Sequence, residues 1–204
     1  MTYEDDKKIT MVSCGVLKAE IQTLREQYWP NLEVNFLSSM LHMKPEKLAA
    51  SLESQLSDDF LKTHKYLLIY GDCCSSISNL SQRTEVVRTR CNNCIDLLLG
   101  REQYRRLSHE GAFFLLPEWM YRWESIFRSE LGLDETNAKS MMGDLHTKLV
   151  LLDTGLAPVP SQKMDACAKY CGLPWESLPV SLDLLRNEIQ FALNELTTAE
   201  VIDE

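Results

Sequence analysis

The stretch YLLIYGDCC, residues 66–74, joins five consecutive apolar or aromatic residues to a Gly-Asp turn and two adjacent thiols. Neighbouring side chains on a strand point to opposite sides of the sheet, so a run without polar alternation predicts a strand covered on both faces. Five more short runs are strand candidates, and most of the set read as continuous apolar runs: ITMVS (9–13), LEVNFL (32–37), EVVRT (85–89), FFLL (113–116) and LVLL (149–152). Stretches of helical period lie between them. Leu17, Ile21, Leu24 and Tyr28 form one stripe that Pro30 stops, and Pro45 opens a second helix carrying Leu48, Leu52 and Leu56. Pro117 opens another with Trp119, Trp123 and Phe127, and Asp134 caps a short helix through Lys139. The segment 160–171 stops at Gly172, and a last helix after Ser181 carries Leu182, Leu185, Ile189, Leu193 and Leu196. Strands alternating with helices predict an α/β fold, a single Rossmann-like domain with a mainly parallel sheet flanked by helices.

Length and composition agree with that reading. With 204 residues and 45% hydrophobic content, the chain is long enough for one sizeable core, and one domain is preferred over a tight two-lobed arrangement. Residues 1–8 read as an N-terminal extension, 9–197 as the α/β domain and 198–204 as an acidic tail. The formal charge, 21 basic minus 30 acidic or −9, repels phosphate backbones and anionic lipid, so neither nucleic acid nor a membrane surface is expected as partner. The charged start MTYEDDKK and the lack of any window near the roughly 18 apolar residues of a bilayer span predict a cytoplasmic protein. No GxGxxG, Walker lysine loop, GxSxG elbow or HExxH helix is present, which lowers dinucleotide enzymes, P-loop ATPases, α/β-hydrolases and zincins.

The chemistry gathers at strand ends. Cys14 follows the first strand, Cys73 and Cys74 the third, and Cys91 and Cys94 the fourth. Parallel strands end on one edge, where ligands of open α/β sheets bind, so thiols far apart in sequence are expected to converge there. His42, a few residues past the second strand, is placed to join them. An odd number of cysteines without an export signal argues for reduced thiols: metal ligands, a nucleophile or packing. Thiolates are natural ligands for zinc or an iron–sulfur cluster. An open fourth position would make such a site reactive and a closed one structural. The spacing Cys91-Asn-Asn-Cys94 has no second CxxC to complete a zinc ribbon, and a dithiol role just before a helix stays open. Cys167 and Cys171 continue an apolar helix face from Met164 and read as core.

Three residues are candidate substrate contacts. Gly15, where a strand turns into a helix, lets backbone approach a ligand. Asp153 in LVLLDTG either orients a ligand or builds a turn. Arg90, with Arg88, lies beside Cys91 and either holds an anion and lowers thiol pKa values or is a solvated edge arginine. His64 and His109 read as solvent-facing, and His146 is ambiguous.

In order along the chain, SCGVLKAE, LHMKPEKL, YGDC, CIDLLLG followed by REQY, FFLLPEW and LLDTGLAPVP resemble the blocks of the uncharacterised family catalogued as domain of unknown function 1638. The resemblance runs from about residue 9 to the final helix. It implies cysteines after the first strand, in a YGxCG block and in a block ending H-D-C, which fall on Cys14, Cys73 and Cys94. Two departures stand out: Cys74 replaces the glycine after Cys73, and Asn92-Asn93 replace the H-D pair. The resemblance also implies an anaerobic one-carbon setting in bacteria and methanogenic archaea, with a corrinoid protein or a methyltransferase as partner. On that basis Cys14, Cys73 and Cys94 are expected to hold zinc or an iron–sulfur cluster, with His42, Cys74 and Cys91 as additional ligands, in or beside corrinoid-dependent methyl transfer. The alternatives are a non-enzymatic metal or corrinoid binding accessory, and an organic-ligand domain whose thiols are buried and inert.

Overall fold

A computed structural model describes residues 7–198; most of the expected N-terminal extension and nearly all of the acidic tail lie outside them. In chain order the elements begin with β1 (Lys8–Cys14), a 3-10 turn at Gly15–Leu17, α1 (Lys18–Tyr28) and β2 (Glu33–Leu37). A 3-10 segment, Ser39–Met43, leads into α2 (Pro45–Gln55), α3 (Asp58–Leu61), β3 (His64–Ile69), α4 (Ser75–Leu80), β4 (Val86–Arg88) and α5 (Cys94–Leu99). Then follow α6 (Arg101–His109), β5 (Ala112–Leu115), α7 (Pro117–Met120), a π-helical segment Ser125–Glu130, and α8 (Glu135–Leu145). The chain closes with β6 (Lys148–Asp153), α9 (Ser161–Cys171), β7 (Trp175–Pro179) and α10 (Asp183–Thr198).

The class is α/β, with every strand pair parallel. The sheet is not the single one expected. Strands β2-β1-β3-β4 form one and β5-β6-β7 another, and the chain divides into two compact units, 1–97 with 183–204 and 98–182. The reason is pairing: β5 registers on β6 from Ala112↔Lys148 to Leu115↔Leu151, and β6 on β7, so the later strands complete a ladder among themselves.

In the first unit, Leu67, Leu68 and Ile69 are all fully buried, as a strand covered on both faces must be. Met11 and Val12 of β1 lie beside them in register, Met11↔Leu67 and Val12↔Leu68. The covering helices contribute Ile21 and Leu24 from α1, Leu48 and Leu52 from α2, Ile77 and Leu80 from α4, and Leu185, Ile189 and Leu196 from α10, the last packing on β3 and β4. In the second unit Leu149, Val150, Leu151 and Leu152 form the same kind of buried run. Trp123, Phe127 and Tyr170 build an aromatic core there, with ring centroids 5.2 Å apart for Trp123–Tyr170 and 6.4 Å for Trp123–Phe127. Cys167 and Cys171 are wholly buried on α9, where they fill core space. Among the described residues no helix is long and apolar enough to cross a membrane.

Candidate thiol site

The strand order places the thiols. From β1 the chain moves outward to β2 and then returns to the other side of β1 as β3, so the connections diverge between β1 and β3. In open parallel sheets the crevice beyond the strand ends at such a reversal is where ligands bind. Cys14 is the last residue of β1, and Cys73 sits four residues past β3.

Two glycines let the loops close on each other. A Cβ on Gly71 would lie 2.3 Å from the Asn92 carbonyl oxygen and 2.5 Å from Asn93 Cα, so the loop after β3 lies backbone to backbone on the loop after β4. The Asp72 N–H donates to the Asn92 carbonyl at 2.9 Å, and the Arg88 guanidinium donates to Asp72 Oδ1 at 2.5 Å, which ties the same two loops. At Gly15 a Cβ would lie 2.9 Å from the Leu37 carbonyl oxygen, so the turn after β1 closes similarly on the end of β2. The role of Gly15 in this structure is that approach.

Four candidate side chains meet as a result. Cys94 is hydrogen-bonded to both Cys14 and Cys73, and His42 donates to Cys73. The links run His42–Cys73–Cys94–Cys14. Cys94 keeps its proton and serves its neighbours as donor, so its own thiol is pushed well above the ordinary value. Donation from Cys94 lowers Cys73 to about 5 against opposing burial, with a further contribution from the His42 hydrogen bond and charge. Cys14 is lowered by the same donor, again against burial, with help from the Val16 N–H. His42 is raised, first by its hydrogen bond to Cys73 and then by the charges of Cys73 and Cys14. Among the described residues, no three or more histidine, cysteine or carboxylate side chains are disposed as a group to hold a metal ion. The contacts follow a line from residue to residue.

The other candidates fall elsewhere. Cys91 is buried beside Thr89, 3.6 Å from its Oγ1, and burial pushes its thiol up to about 12. Cys74 is partly buried, which raises its thiol, and no hydrogen bond links it to the other sulfurs. Arg90 turns to α10: its guanidinium donates to Glu195 at 3.0 Å and stacks 4.0 Å from the Phe191 ring, and its backbone N–H donates to Glu188. Asp153 belongs to the second unit, and its Oδ1 accepts from the Gly155 N–H at 2.9 Å, so it builds the turn.

The Asn92-Asn93 departure has a structural account. Asn93 Oδ1 accepts from the Asp96 N–H at 2.9 Å and the Asp96 carboxylate accepts from the Asn92 N–H at 3.1 Å, a reciprocal cap on α5. Aspartate and asparagine are close to equal as caps, so Asn93→Asp is expected to melt with the wild type, whereas Asn93→Ala costs about 1 kcal/mol. Thermal denaturation followed by circular dichroism checks both.

The sequence reading overlooked Tyr70. It sits between β3 and Gly71, is 1% exposed, and its hydroxyl has no hydrogen-bond partner. Burial is the first cause that raises its pKa, and the charges of Cys14, Cys94, Cys73 and Cys74 add to it. A strand tyrosine reads as ordinary core; the available signal was its position directly ahead of the glycine that carries the thiol loop.

The family profile described as "Protein of unknown function (DUF1638)" matches residues 36–189, most of the chain. The chain belongs to this family. The match takes in His42, Cys73 and Cys94 of this DUF1638 member but starts after Cys14, so the first block of the resemblance, SCGVLKAE, precedes the matched span. No curated protein and no solved structure matches the chain.

Proposed function

We propose that this DUF1638 protein is a cysteine-thiolate metal-site protein, with Cys14, Cys73 and Cys94 as ligands, His42 as the adjoining fourth group, and zinc or an iron–sulfur cluster as the metal centre. The observation that carries the reading is the hydrogen-bonded run of three thiols and one imidazole, drawn from three loops and a strand end at the point where the sheet connections diverge. The donor types fit: sulfur and imidazole are the ligands that soft and borderline metals select. Charge supports it too. Ionised Cys73 carries negative charge in a partly buried place, Cys14 is shifted in the same direction, and a cation would offset the cost of burying such charge. A thiolate-bound zinc supplies Lewis acidity that lowers the pKa of a coordinated thiol, and a cluster supplies electrons or an open iron.

What the chain's own residues do follows from their positions. Cys94 holds the proton that must leave before three thiolates coordinate together, and His42 orients Cys73. The family resemblance extends the proposal to anaerobic corrinoid-dependent methyl transfer, as catalyst or accessory, with a corrinoid protein or methyltransferase as partner. A second reading rests on the His42–Cys73 hydrogen bond: a metal-free reactive thiol, with Cys73 as nucleophile and Cys94 as its proton donor.

Anaerobic purification followed by elemental analysis and an absorption spectrum decides between them. Stoichiometric zinc or a broad brown absorbance is expected in the wild type, and neither in the Cys14→Ser, Cys73→Ser, Cys94→Ser triple variant. Wild-type protein with no metal and no chromophore would favour the reactive-thiol reading.

A further inference from the structure

A second concave surface lies in the first unit, at the other end of its sheet from the thiols. It is a cavity of about 300 Å³, lined in part by Ile9 near the start of β1 and by Leu32 just ahead of β2. Cys14 ends β1 five residues beyond Ile9, about 16 Å along the strand at the usual rise, so the cavity is separate from the thiol site. Ile9, Pro30, Leu32 and Leu193 give it an apolar wall. Tyr28 and Trp29, where α1 ends, add two aromatic rings with centroids 5.9 Å apart. Two arginines that do not line the cavity hold this wall in place. Arg25 donates from Nε to the Leu32 carbonyl at 2.8 Å and from Nη2 to the Pro30 carbonyl at 3.0 Å, and Arg186 donates to the Tyr28 hydroxyl at 3.2 Å, its guanidinium 5.3 Å from the ring centroid.

The polar lining has a fixed sense. An indole N–H donates and cannot accept, so the Gln190 side chain turns its carbonyl oxygen to Trp29 Nε1 at 3.1 Å, and its own Nε2 donates to Asn194 Oδ1 at 2.9 Å. Asn194 also lines the cavity, and its amide N–H groups are donors that no hydrogen bond among the described residues uses. Among the described residues no charged side chain lines the cavity, although a quarter of the chain is charged.

We infer that this cavity binds an uncharged planar heteroaromatic ring as a free small molecule, packed against Tyr28 and Trp29, with a ring nitrogen or carbonyl accepting from Asn194 Nδ2. The inference goes beyond the thiol-site reading and does not depend on it. A charged ligand would give up its hydration with no lining charge to offset the loss. A sugar carries hydroxyls around its whole rim and would set some of them against Ile9, Leu32 and Leu193, where no partner meets them. A heteroaromatic ring has apolar faces and confines its polar atoms to an edge, which matches aromatic and aliphatic walls beside a single unused amide donor. The volume, at the small end for ligand pockets, suits one or two fused rings.

The test uses the full chain isotope-labelled at its indole nitrogens and titrated with caffeine, an uncharged fused ring that carries acceptors and no N–H donor. The four tryptophans give four indole N–H signals, and the Trp29→Phe spectrum identifies that of Trp29. Caffeine is expected to shift the Trp29 signal in a saturable way, with half-saturation on the order of 1 mM for a ligand of this size, while the other three stay in place. Asn194→Asp keeps the acceptor for Gln190 and removes the donor, so half-saturation should rise about fivefold or more with the circular dichroism spectrum unchanged. A Trp29 signal that does not move, or four signals that drift together, overturns the inference. So does a saturable response to methyl glucoside in place of caffeine, which would make this a sugar site. Caffeine binding equally well to Asn194→Asp also overturns it, since the amide donor would then play no part.

Discussion

In the metal-free protein, iodoacetamide is expected to modify Cys73 at a rate whose pH midpoint lies at about 5, where an ordinary thiol has its midpoint at 9.0. The leading cause is donation from the Cys94 S–H, which stabilises the Cys73 thiolate against the burial that opposes it; the His42 hydrogen bond and charge add to it. At pH 7 a thiol at 9.0 is roughly 1% ionised, while Cys73 is almost wholly so. Part of this gain is returned, because a thiolate of lower pKa is intrinsically less nucleophilic. Cys94→Ala and His42→Ala should therefore each raise the midpoint of the rate profile. Peptide mapping separates Cys73 from its neighbours, since burial keeps Cys74 and Cys91 protonated at neutral pH. A wild-type midpoint near 9 for Cys73 would sink the prediction.

The same shift makes stability depend on pH with a definite sign. The folded pKa of Cys73 lies below the unfolded value, so its contribution is present in full above about 9, shrinks through the window between, and is gone once pH falls through about 5. Denaturant midpoints of Cys73→Ala should accordingly lose most of that pH dependence. The three sulfurs exchange protons with one another, so titration of the site reports the set as a whole.

Six of the seven strands among the described residues were legible, β3 and β6 as continuous apolar runs whose two faces are covered and the others as short β-branched or aromatic runs between helical stretches. The seventh, β7, reads Trp-Glu-Ser-Leu-Pro: it lies at the edge of its sheet, its residues are half-buried or exposed, and its terminal proline argues against a strand. The division into two sheets was not legible, since an apolar run does not say which other run will be its neighbour. Helix ends followed local chemistry. Asp134 caps α8 by accepting from the Asn137 N–H, and Gly172 ends α9 with φ 69°, both as their residue types lead one to expect. The single helix expected from Pro117 instead breaks after α7 and resumes into the π-helical Ser125–Glu130, with Trp123 and Phe127 both buried.

The thiol site was legible at the level of strand ends and no finer. Strand-end placement grouped Cys14, Cys73, Cys74, Cys91, Cys94 and His42 on one edge, where parallel strands present their ends. It could not separate Cys91 from Cys94, three residues apart, since that choice depends on which side of the loop faces Thr89. Nor could it show Arg90 turning away to Glu195 and Phe191, because α10 returns to this unit from nearly a hundred residues later.

Gly71→Ala is expected to damage both the fold and the site. The three nearest atoms that its Cβ would meet are all backbone: the Asn92 carbonyl oxygen at 2.3 Å, the Asn92 carbonyl carbon at 2.4 Å and Asn93 Cα at 2.5 Å. No side chain is there to swing aside, so the loops after β3 and β4 must part, against the Asp72–Asn92 hydrogen bond and the Arg88–Asp72 pair that hold them. Overpacking of this kind costs about 1–3 kcal/mol, and a chain of this length then melts several degrees lower. The parted loops carry Cys73 and Cys94, so the Cys94 proton moves out of reach and the Cys73 midpoint climbs toward 9.0. Gly143→Ala is the control: this glycine lies in α8 with nothing within 4 Å of the added methyl, and alanine there is expected to be neutral or to stabilise by up to about 1 kcal/mol. A Gly71→Ala protein that melts with the wild type and keeps its Cys73 midpoint near 5 would show that the two loops are not pressed together as described, and the convergence of Cys73 with Cys94 would lose its structural basis.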